Sequence, residues 1–219
     1  MEIVWLGHSC FKIRGREAVI VTDPFDKTLG YPVKKLTASI VTVSHPHPQH
    51  SFVDGVAGDP RVIRKPGEYE IANVFIYGIA AFHDDSKGEK RGKNTVYLIQ
   101  IEDVNICHLG DLGHVPTAEQ VEQISNADIL MVPVGGNTTI GPAGAVETIS
   151  LVQPKLVIPM HFKTDAVNLE LEPLEGFLKQ MGLKEVASQP KLNVSKSSLP
   201  AEMSVVVLDY RQPARPDAV

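Results

Sequence analysis

His45-Pro46-His47-Pro48-Gln49-His50 is a histidine-rich stretch that follows, after Ser44, an apolar run, Ala-Ser-Ile-Val-Thr-Val, at positions 38–43. The β-branched run predicts a buried strand, so the stretch forms the loop at the end of that strand. Its two prolines exclude a regular helix or a central strand and hold the histidine stems in an extended turn. The chain has 8 histidines among 219 residues, and three of them fall within this stretch. The pattern predicts a metal-binding loop, and the alternative is a solvated surface loop with histidines present by chance.

Three further candidate ligands stand at the ends of other apolar runs. His83 follows the run 74–82, Asp111 follows the run 104–110, and His161 follows the run 156–160. Imidazole is the commonest side-chain metal ligand, and histidines combined with a carboxylate suit zinc. Manganese, iron and nickel accept similar ligands. The sequence therefore predicts one or two metal ions, zinc first, held by residues at strand ends.

Several other segments occur in a recognisable order around these candidates. They are Gly7-His8-Ser9-Cys10-Phe11, Thr22-Asp23-Pro24-Phe25, Leu109-Gly110-Asp111, the run 133–142 and Ile158-Pro159-Met160-His161-Phe162. Together with the histidine-rich stretch, they resemble the metallo-β-lactamase superfamily, and within it a sub-family of metal-dependent hydrolases related to L-ascorbate 6-phosphate lactonase. The resemblance runs from residue 1 to about residue 181. It implies an α/β (α+β) fold, a four-layer αββα sandwich with the metals at one edge between two sheets.

The resemblance also assigns metal ligands, position by position. It implies one metal at His45, His47 and His83, and a second at His50 and His161, with Asp111 bridging the two. In such enzymes an aspartate completes the second site and helps to orient the attacking water.

That aspartate falls on Gln49 in this chain. The catalytic candidates are therefore Asp111 and Gln49. A glutamine is neutral and cannot take a proton, so the second metal should bind less tightly and the water should be less well directed. Asp84 and Leu112 are further departures from the sub-family pattern.

The remaining histidines receive supporting roles. His8 and Asp23 should lie beneath the metal loop, where such groups orient ligand imidazoles. His108 should be structural or support a ligand, rather than bind metal itself. His114 should lie in an exposed turn, and the alternative is a role facing substrate. The glycine-rich run 135–142 opens a predicted helix and is either an anion-binding loop or a turn that needs unusual backbone angles.

The chain reads as one domain over residues 1–212, followed by a flexible tail at 213–219. Strands are predicted at 2–6, 10–14, 18–22, 39–43, 73–82, 95–101, 128–132 and 155–160, and helices at Thr117–Ser125, Pro142–Val152 and Glu172–Met181. Thr117 and Gln120 have the spacing of a helix capping box. Alternating strands and helices favour a layered architecture.

Composition favours a cytoplasmic protein. Hydrophobic residues make up 43% of the chain, yet no apolar stretch has the length of a membrane span. Cys10 and Cys107 lie in strand-like sequence and should be reduced, buried thiols. The net charge is -5, which disfavours a nucleic-acid surface, whereas the basic loop Lys87–Lys93 could steer an anionic small-molecule substrate. The pattern makes no prediction of oligomeric state.

Two functions are compatible with these observations. The first is a metal-dependent hydrolase that uses metal-activated water on an ester, lactone, amide or phosphoester of a small molecule. The second is a non-catalytic or single-metal relative that binds a metabolite or a partner, and Gln49 is its main support.

Overall fold

The computed structural model of the chain describes residues 1–32 and 35–211. Its α-helices are α1 (Ala118–Ile124), α2 (Pro142–Val152) and α3 (Leu174–Gln180). Its strands are β1 (Glu2–Gly7), β2 (Cys10–Arg14), β3 (Val19–Thr22), β4 (Leu36–Thr37), β5 (Ile40–Thr42), β6 (Val56–Ala57), β7 (Arg61–Ile63), β8 (Gly67–Ile71), β9 (Val74–Phe82), β10 (Lys93–Ile101), β11 (Val104–His108), β12 (Ile129–Pro133), β13 (Leu156–Met160), β14 (Leu192–Asn193) and β15 (Ser204–Val205).

Two mixed sheets organise these strands. The first has the order β14-β1-β2-β3-β5-β7, and the second has the order β15-β13-β12-β11-β10-β9-β8. β1 to β3 are antiparallel, whereas β5 and β7 join β3 in parallel. β8 to β11 are antiparallel, whereas β12, β13 and β15 continue in parallel. β4 and β6 form a separate parallel pair.

The strand directions place several carboxyl ends at one edge of each sheet. β1, β3 and β5 run the same way in the first sheet, because an antiparallel β2 separates β1 from β3. β9, β11, β12 and β13 likewise run the same way in the second sheet. Residues that follow these strands are therefore brought to shared edges.

The core lies between the two sheets. Buried side chains from both sheets, such as Trp5, Phe11, Ile99 and Met131, belong to one continuous apolar cluster. Tyr97 adds a polar link, because its hydroxyl donates to the carbonyl oxygens of Val43 (2.9 Å) and Ile63 (3.2 Å) across the sheets. The link fixes the end of β5, immediately before the histidine-rich loop.

The α-helices all follow β11 in the part of the chain described, and α2 contacts both β12 and α3. α1 begins with the predicted capping box: Gln120 N–H donates to Thr117 Oγ1 at 3.3 Å, and Thr117 N–H donates to Gln120 Oε1 at 3.0 Å. Pro142 opens α2, where its missing N–H costs no helical hydrogen bond.

The predicted elements agree with the structure to within a few residues, and helix 172–181 is shortened to Leu174–Gln180. The short strands β4, β6, β7, β14 and β15, and the edge strand β8, are not among the predicted strands. No helix among the described residues is long and apolar enough to cross a bilayer. The single-domain assignment stays a prediction, and the tail at 213–219 lies outside the described residues.

Candidate metal centre

The candidate ligands stand where strands of both sheets end. His45 follows β5 and Asp111 follows β11, while His83 and His161 are the residues directly after β9 and β13. All four are buried. The predicted convergence of strand-end residues is therefore present in the structure.

Asp111 lies at the centre of the cluster. Its Oδ2 is 3.2 Å from His50 Nε2, 3.3 Å from His83 Nε2 and 3.3 Å from His161 Nε2. Its Oδ1 accepts a hydrogen bond from Ser9 Oγ at 3.2 Å. One carboxylate thus faces three imidazoles, as a bridging ligand would.

Two overlapping groups of residues could each hold a metal ion. Within each group one ligand atom per residue lies within 4.8 Å of the others, and every member is buried. The first group is His45, His83 and Asp111, and the second is His8, His50, Asp111 and His161. Asp111 belongs to both, in keeping with its predicted bridging position.

His47 and Gln49 lie at the rim instead. The His47 ring is exposed, and its centroid is 6.0 Å from that of His45 and 6.2 Å from that of His50. His47 Nδ1 accepts a hydrogen bond from the Gln49 N–H at 3.3 Å. Both residues line the cleft above the cluster. Their predicted roles as a metal ligand and a catalytic residue stay predictions.

Hydrogen bonds set the tautomers of two candidate ligands. Asp23 Oδ2 accepts from His50 Nδ1 at 3.1 Å, so the His50 Nε2 that faces Asp111 has a lone pair when the ring is neutral. Ser44 Oγ donates to Asp23 Oδ2 at 2.6 Å and therefore accepts from His45 Nδ1 at 3.0 Å. The neutral His45 Nε2 is thereby left free as a ligand. The predicted position of Asp23 behind the metal loop matches these contacts.

Burial and charge shift the pKa values in opposite directions. Burial, assisted by the neighbouring His50, lowers the pKa of His45 to about 3. Burial also disfavours the charged form of His50, but Asp111 and Asp23 outweigh it and raise the pKa to about 10. Burial would raise the pKa of Asp111, yet His161 and His50 hold it well below its ordinary value. The cluster therefore combines ionised carboxylates with at least one neutral imidazole.

This donor set fits a divalent cation. Neutral imidazole nitrogens and ionised carboxylate oxygens are zinc ligands, and they converge here without a Lys or Arg partner within the cluster. The Nδ1 atoms of His8, His83 and His161 are buried and have no hydrogen-bond partner among the described residues. Such unpaired buried groups are costly unless the site has another role.

Sequence reasoning missed the groups that hold Asp111 and His161 from behind. Asn94 Oδ1 accepts from the Asp111 N–H at 3.0 Å, and its amide donates to Leu109 O at 2.9 Å. A Cβ on Gly135 would lie 2.1 Å from His161 O, so only glycine permits this close approach. The next residues of the glycine-rich run, Gly136 (φ 59°) and Asn137 (φ 58°), have left-handed backbone angles, which favours the turn interpretation of that segment.

The two other histidines are structural. His108 is fully buried and its Nε2–H donates to Ser9 O at 2.8 Å. His114 is half-buried rather than exposed, since its ring packs against Phe82 and both ring nitrogens lie within hydrogen-bond distance of backbone atoms.

Asp84 has a clear local role. Its carboxylate accepts hydrogen bonds from the backbone N–H groups of Ser86, Gly88, Lys90 and Arg91 at 2.7–3.0 Å. Although burial acts in the opposite direction, these four donors lower the pKa of Asp84 to about 2. Asp84 thereby fixes the basic loop between β9 and β10.

A cleft of about 1010 Å³ opens above the cluster. Asp111 is the sole carboxylate among the described residues that line it, whereas four basic residues do so: Arg64, Lys65, Arg91 and Lys93. All four are exposed, and none forms a salt bridge with another described residue. The cleft is therefore positively charged around its mouth.

The two sheets and the His/Asp cluster define a class of metalloprotein. A family model, the Beta-lactamase superfamily domain, matches residues 2–161. A UPF0173 metal-dependent hydrolase of Thermoplasma volcanium is 30% identical, and the match covers 80% of this chain and 88% of that protein. The chain therefore belongs to the metallo-β-lactamase superfamily and, within it, to the UPF0173 metal-dependent hydrolase family.

Solved structures agree with this assignment. A Thermotoga maritima protein, proposed to be a Zn-dependent hydrolase of the metallo-β-lactamase superfamily, is 41% identical with a TM-score of 0.78 and covers 94% of this chain and 97% of its own. An isothiocyanate hydrolase from Delia radicum gut bacteria is similar in fold alone, with 14% identity, a TM-score of 0.71, and coverage of 89% of this chain and 99% of its own. The predicted metallo-β-lactamase-like α/β fold is confirmed.

Proposed function

We propose that this chain is a metal-dependent hydrolase, with zinc as its metal, that acts on a small anionic ester, lactone, amide or phosphoester. The observation that carries the proposal is the cleft, which has buried metal-ligand candidates at its floor and unpaired basic side chains at its mouth. Family membership supports metal-dependent hydrolysis, and the charge of the cleft supports the choice of an anion.

The candidate ligands would be the two buried groups that share Asp111. When bound there, a divalent ion supplies Lewis acidity and lowers the pKa of water. Asp111 is oriented by Ser9 Oγ at Oδ1 and by Asn94 at its backbone N–H. Its Oδ2 is therefore held in a fixed direction, facing the cleft. Gln49 lines the same cleft and can form hydrogen bonds there without exchanging a proton.

The basic residues provide recognition. Arg91 lies in the loop held by Asp84 and Lys93 is the first residue of β10, so the backbone positions of both are fixed before substrate arrives. Exposed cations at a cleft raise the local concentration of anions and attract them at long range. The chain as a whole has a net charge of -5, so this positive region is local, which fits a small anion better than a nucleic acid.

The substrate class follows from the same considerations. The expected relation to L-ascorbate 6-phosphate lactonase makes phosphorylated lactones and small phosphoesters the first compounds to test. Cys10 and Cys107 are both buried and unpaired, which supports the proposal of a reducing, cytoplasmic location.

A substrate panel with matched charges tests the proposal. Zinc-loaded protein should hydrolyse anionic esters or lactones faster than neutral analogues of the same leaving group. Arg91→Gln should raise KM for the anionic compound about tenfold, equivalent to about 1.4 kcal/mol, and leave the neutral analogue unchanged. Lys90→Gln is a matched control, because Lys90 lies in the same loop but pairs with Asp85 outside the cleft. Equal KM changes for charged and neutral compounds would refute the anionic preference.

The alternative function, a single-metal or non-catalytic relative, is favoured by Gln49 at the position of the usual aspartate. Gln49→Asp distinguishes the two functions. A large gain in activity and in second-metal affinity would indicate that the natural role needs no strong dinuclear centre. No gain would indicate that Gln49 is already adapted to hydrolysis.

A further inference from the structure

His8 lies among the candidate ligands rather than behind them. Its Nε2 is 3.1 Å from His50 Nε2, and its ring centroid is 4.0 Å from that of His161. The residue is buried, and its ligand atom lies within 4.8 Å of those of His50, Asp111 and His161. The position is therefore that of a fourth ligand to the second group.

The hydrogen bonding of His8 is incomplete. His50 Nδ1 is committed to Asp23, and His50 Nε2 faces both His8 Nε2 at 3.1 Å and Asp111 Oδ2 at 3.2 Å. His8 Nδ1 is buried and has no partner among the described residues. Whichever tautomer His8 adopts, its Nδ1 stays buried without a partner in the described part of the chain, either as a donor or as an acceptor. The two neighbouring Nε2 atoms are close enough for one cation to bind both in place of protons.

The backbone of His8 adopts a strained conformation. His8 has a φ of 53°, in the left-handed region that non-glycine residues rarely adopt, and His161 has the same φ. Two donors fix the His8 carbonyl: Trp5 Nε1–H at 2.9 Å and the His161 N–H at 3.2 Å. Strained residues locked by their surroundings cluster at functional sites. The left-handed conformations of His8 and His161 place their two imidazoles side by side.

Gln49 makes no comparable contribution. Its side chain is half-buried and forms no hydrogen bond with the described residues, and its carbonyl oxygen is a weak, neutral ligand. We propose that His8 is a metal ligand in this chain and takes the place of the carboxylate that Gln49 lacks. The second site is then His8, His50, His161 and Asp111, three imidazoles and one carboxylate, which suits zinc. The inference rests on the proposed metal dependence.

Metal stoichiometry and affinity test the assignment without any assay of activity. Protein purified without chelator is titrated with zinc, and bound metal is measured by elemental mass spectrometry and calorimetry. The wild-type chain should bind two ions. His8→Ala should lose one ion or bind it at least about 100-fold more weakly, whereas Gln49→Ala should stay within about threefold of the wild type. His114→Gln is a control for replacing a histidine outside the cluster.

A second variant protects the test against misfolding. In His8→Cys, cobalt(II) loading should produce a near-ultraviolet thiolate-to-cobalt charge-transfer band that the wild type lacks, since its own thiols are buried elsewhere in the core. A folded His8→Cys chain without the band, or a His8→Ala chain that binds metal like the wild type, would overturn the assignment of His8 as a ligand. Neither result would overturn the proposed metal dependence. A wild-type chain that binds no zinc would overturn the metal dependence and this inference together.

Discussion

Asp23 offers the sharpest test of how the centre is supported. Its carboxylate accepts three hydrogen bonds, from Ser44 N–H at 2.8 Å, Ser44 Oγ at 2.6 Å and His50 Nδ1 at 3.1 Å. Burial opposes ionisation of Asp23, but the His50 hydrogen bond and nearby histidines keep its pKa below the ordinary value. Asp23 is therefore charged, and it fixes both the orientation and the tautomer of His50.

Asp23→Asn keeps the shape and removes the charge. Whichever way the amide lies, its NH₂ group meets at least one donor: Ser44 N–H at the Oδ1 position, or Ser44 Oγ and His50 Nδ1 at the Oδ2 position. At least one hydrogen bond to a charged acceptor is therefore lost, worth about 1.5–3 kcal/mol. If the lost partner is His50 Nδ1, the ring proton moves to Nε2, the candidate ligand atom. Loss of such an orienting group weakens metal binding about 10- to 100-fold. We therefore expect a zinc Kd raised by that factor and a less stable metal-free chain.

The assay is zinc affinity by chelator competition, with Tm measured in chelator for the same samples. Asp128→Asn is the matched control, because Asp128 is also a buried aspartate, which accepts from Asn105 N–H and Lys196 Nζ, but it precedes β12 at the opposite end from the site. The control should lose stability and keep its zinc affinity. A zinc Kd for Asp23→Asn within threefold of the wild type would refute the argument that His50 needs this partner.

Three further outcomes follow from the fold. Tyr97→Phe removes the hydroxyl that reaches Val43 O across the sheets, and should cost about 1–2 kcal/mol, seen in thermal unfolding as a Tm lower by about 2–8 °C; an unchanged Tm would contradict the proposed link. Gly135→Ala forces a Cβ to 2.1 Å from His161 O, so it should cost about 1–3 kcal/mol and weaken zinc binding in calorimetry. Gly176→Ala, in α3 with ordinary 3.6 Å contacts, should instead gain about 0.5–1 kcal/mol and leave zinc binding unchanged. Chelation of the wild type should lower Tm by about 5–10 °C, as expected for loss of a ligand present at 100 times its Kd; no shift would argue against a structural coupling between metal and fold.

Much of the fold was accessible from sequence because the strong signals are local. The run before the histidine-rich loop forms β5, and Thr117 with Gln120 forms the predicted capping box. β7 and β8 escaped prediction because three-residue and edge strands depend on their neighbours more than on their own pattern.

The limits at the site have a different origin. His83, Asp111 and His161 could be proposed because each follows an apolar strand. His8 could be placed from sequence only as a supporting residue, since no spacing rule brings it next to His50, 42 positions later. The short distance between His8 and His50 depends on the left-handed backbone at His8 and on the contacts that hold its carbonyl. Neither is visible in a pattern of apolar and polar residues.

The separation between floor and mouth of the cleft has an evolutionary consequence. The candidate ligands are anchored to strand ends and braced from behind by main-chain contacts such as that of Gly135 with His161. The basic residues at the mouth lie instead where strands are connected: Arg64 and Lys65 between β7 and β8, and Arg91 and Lys93 where the chain enters β10. Under the proposed function, substitutions at the mouth should change which compounds are accepted while the candidate metal centre stays intact, and those positions are where a library for altered specificity should be concentrated.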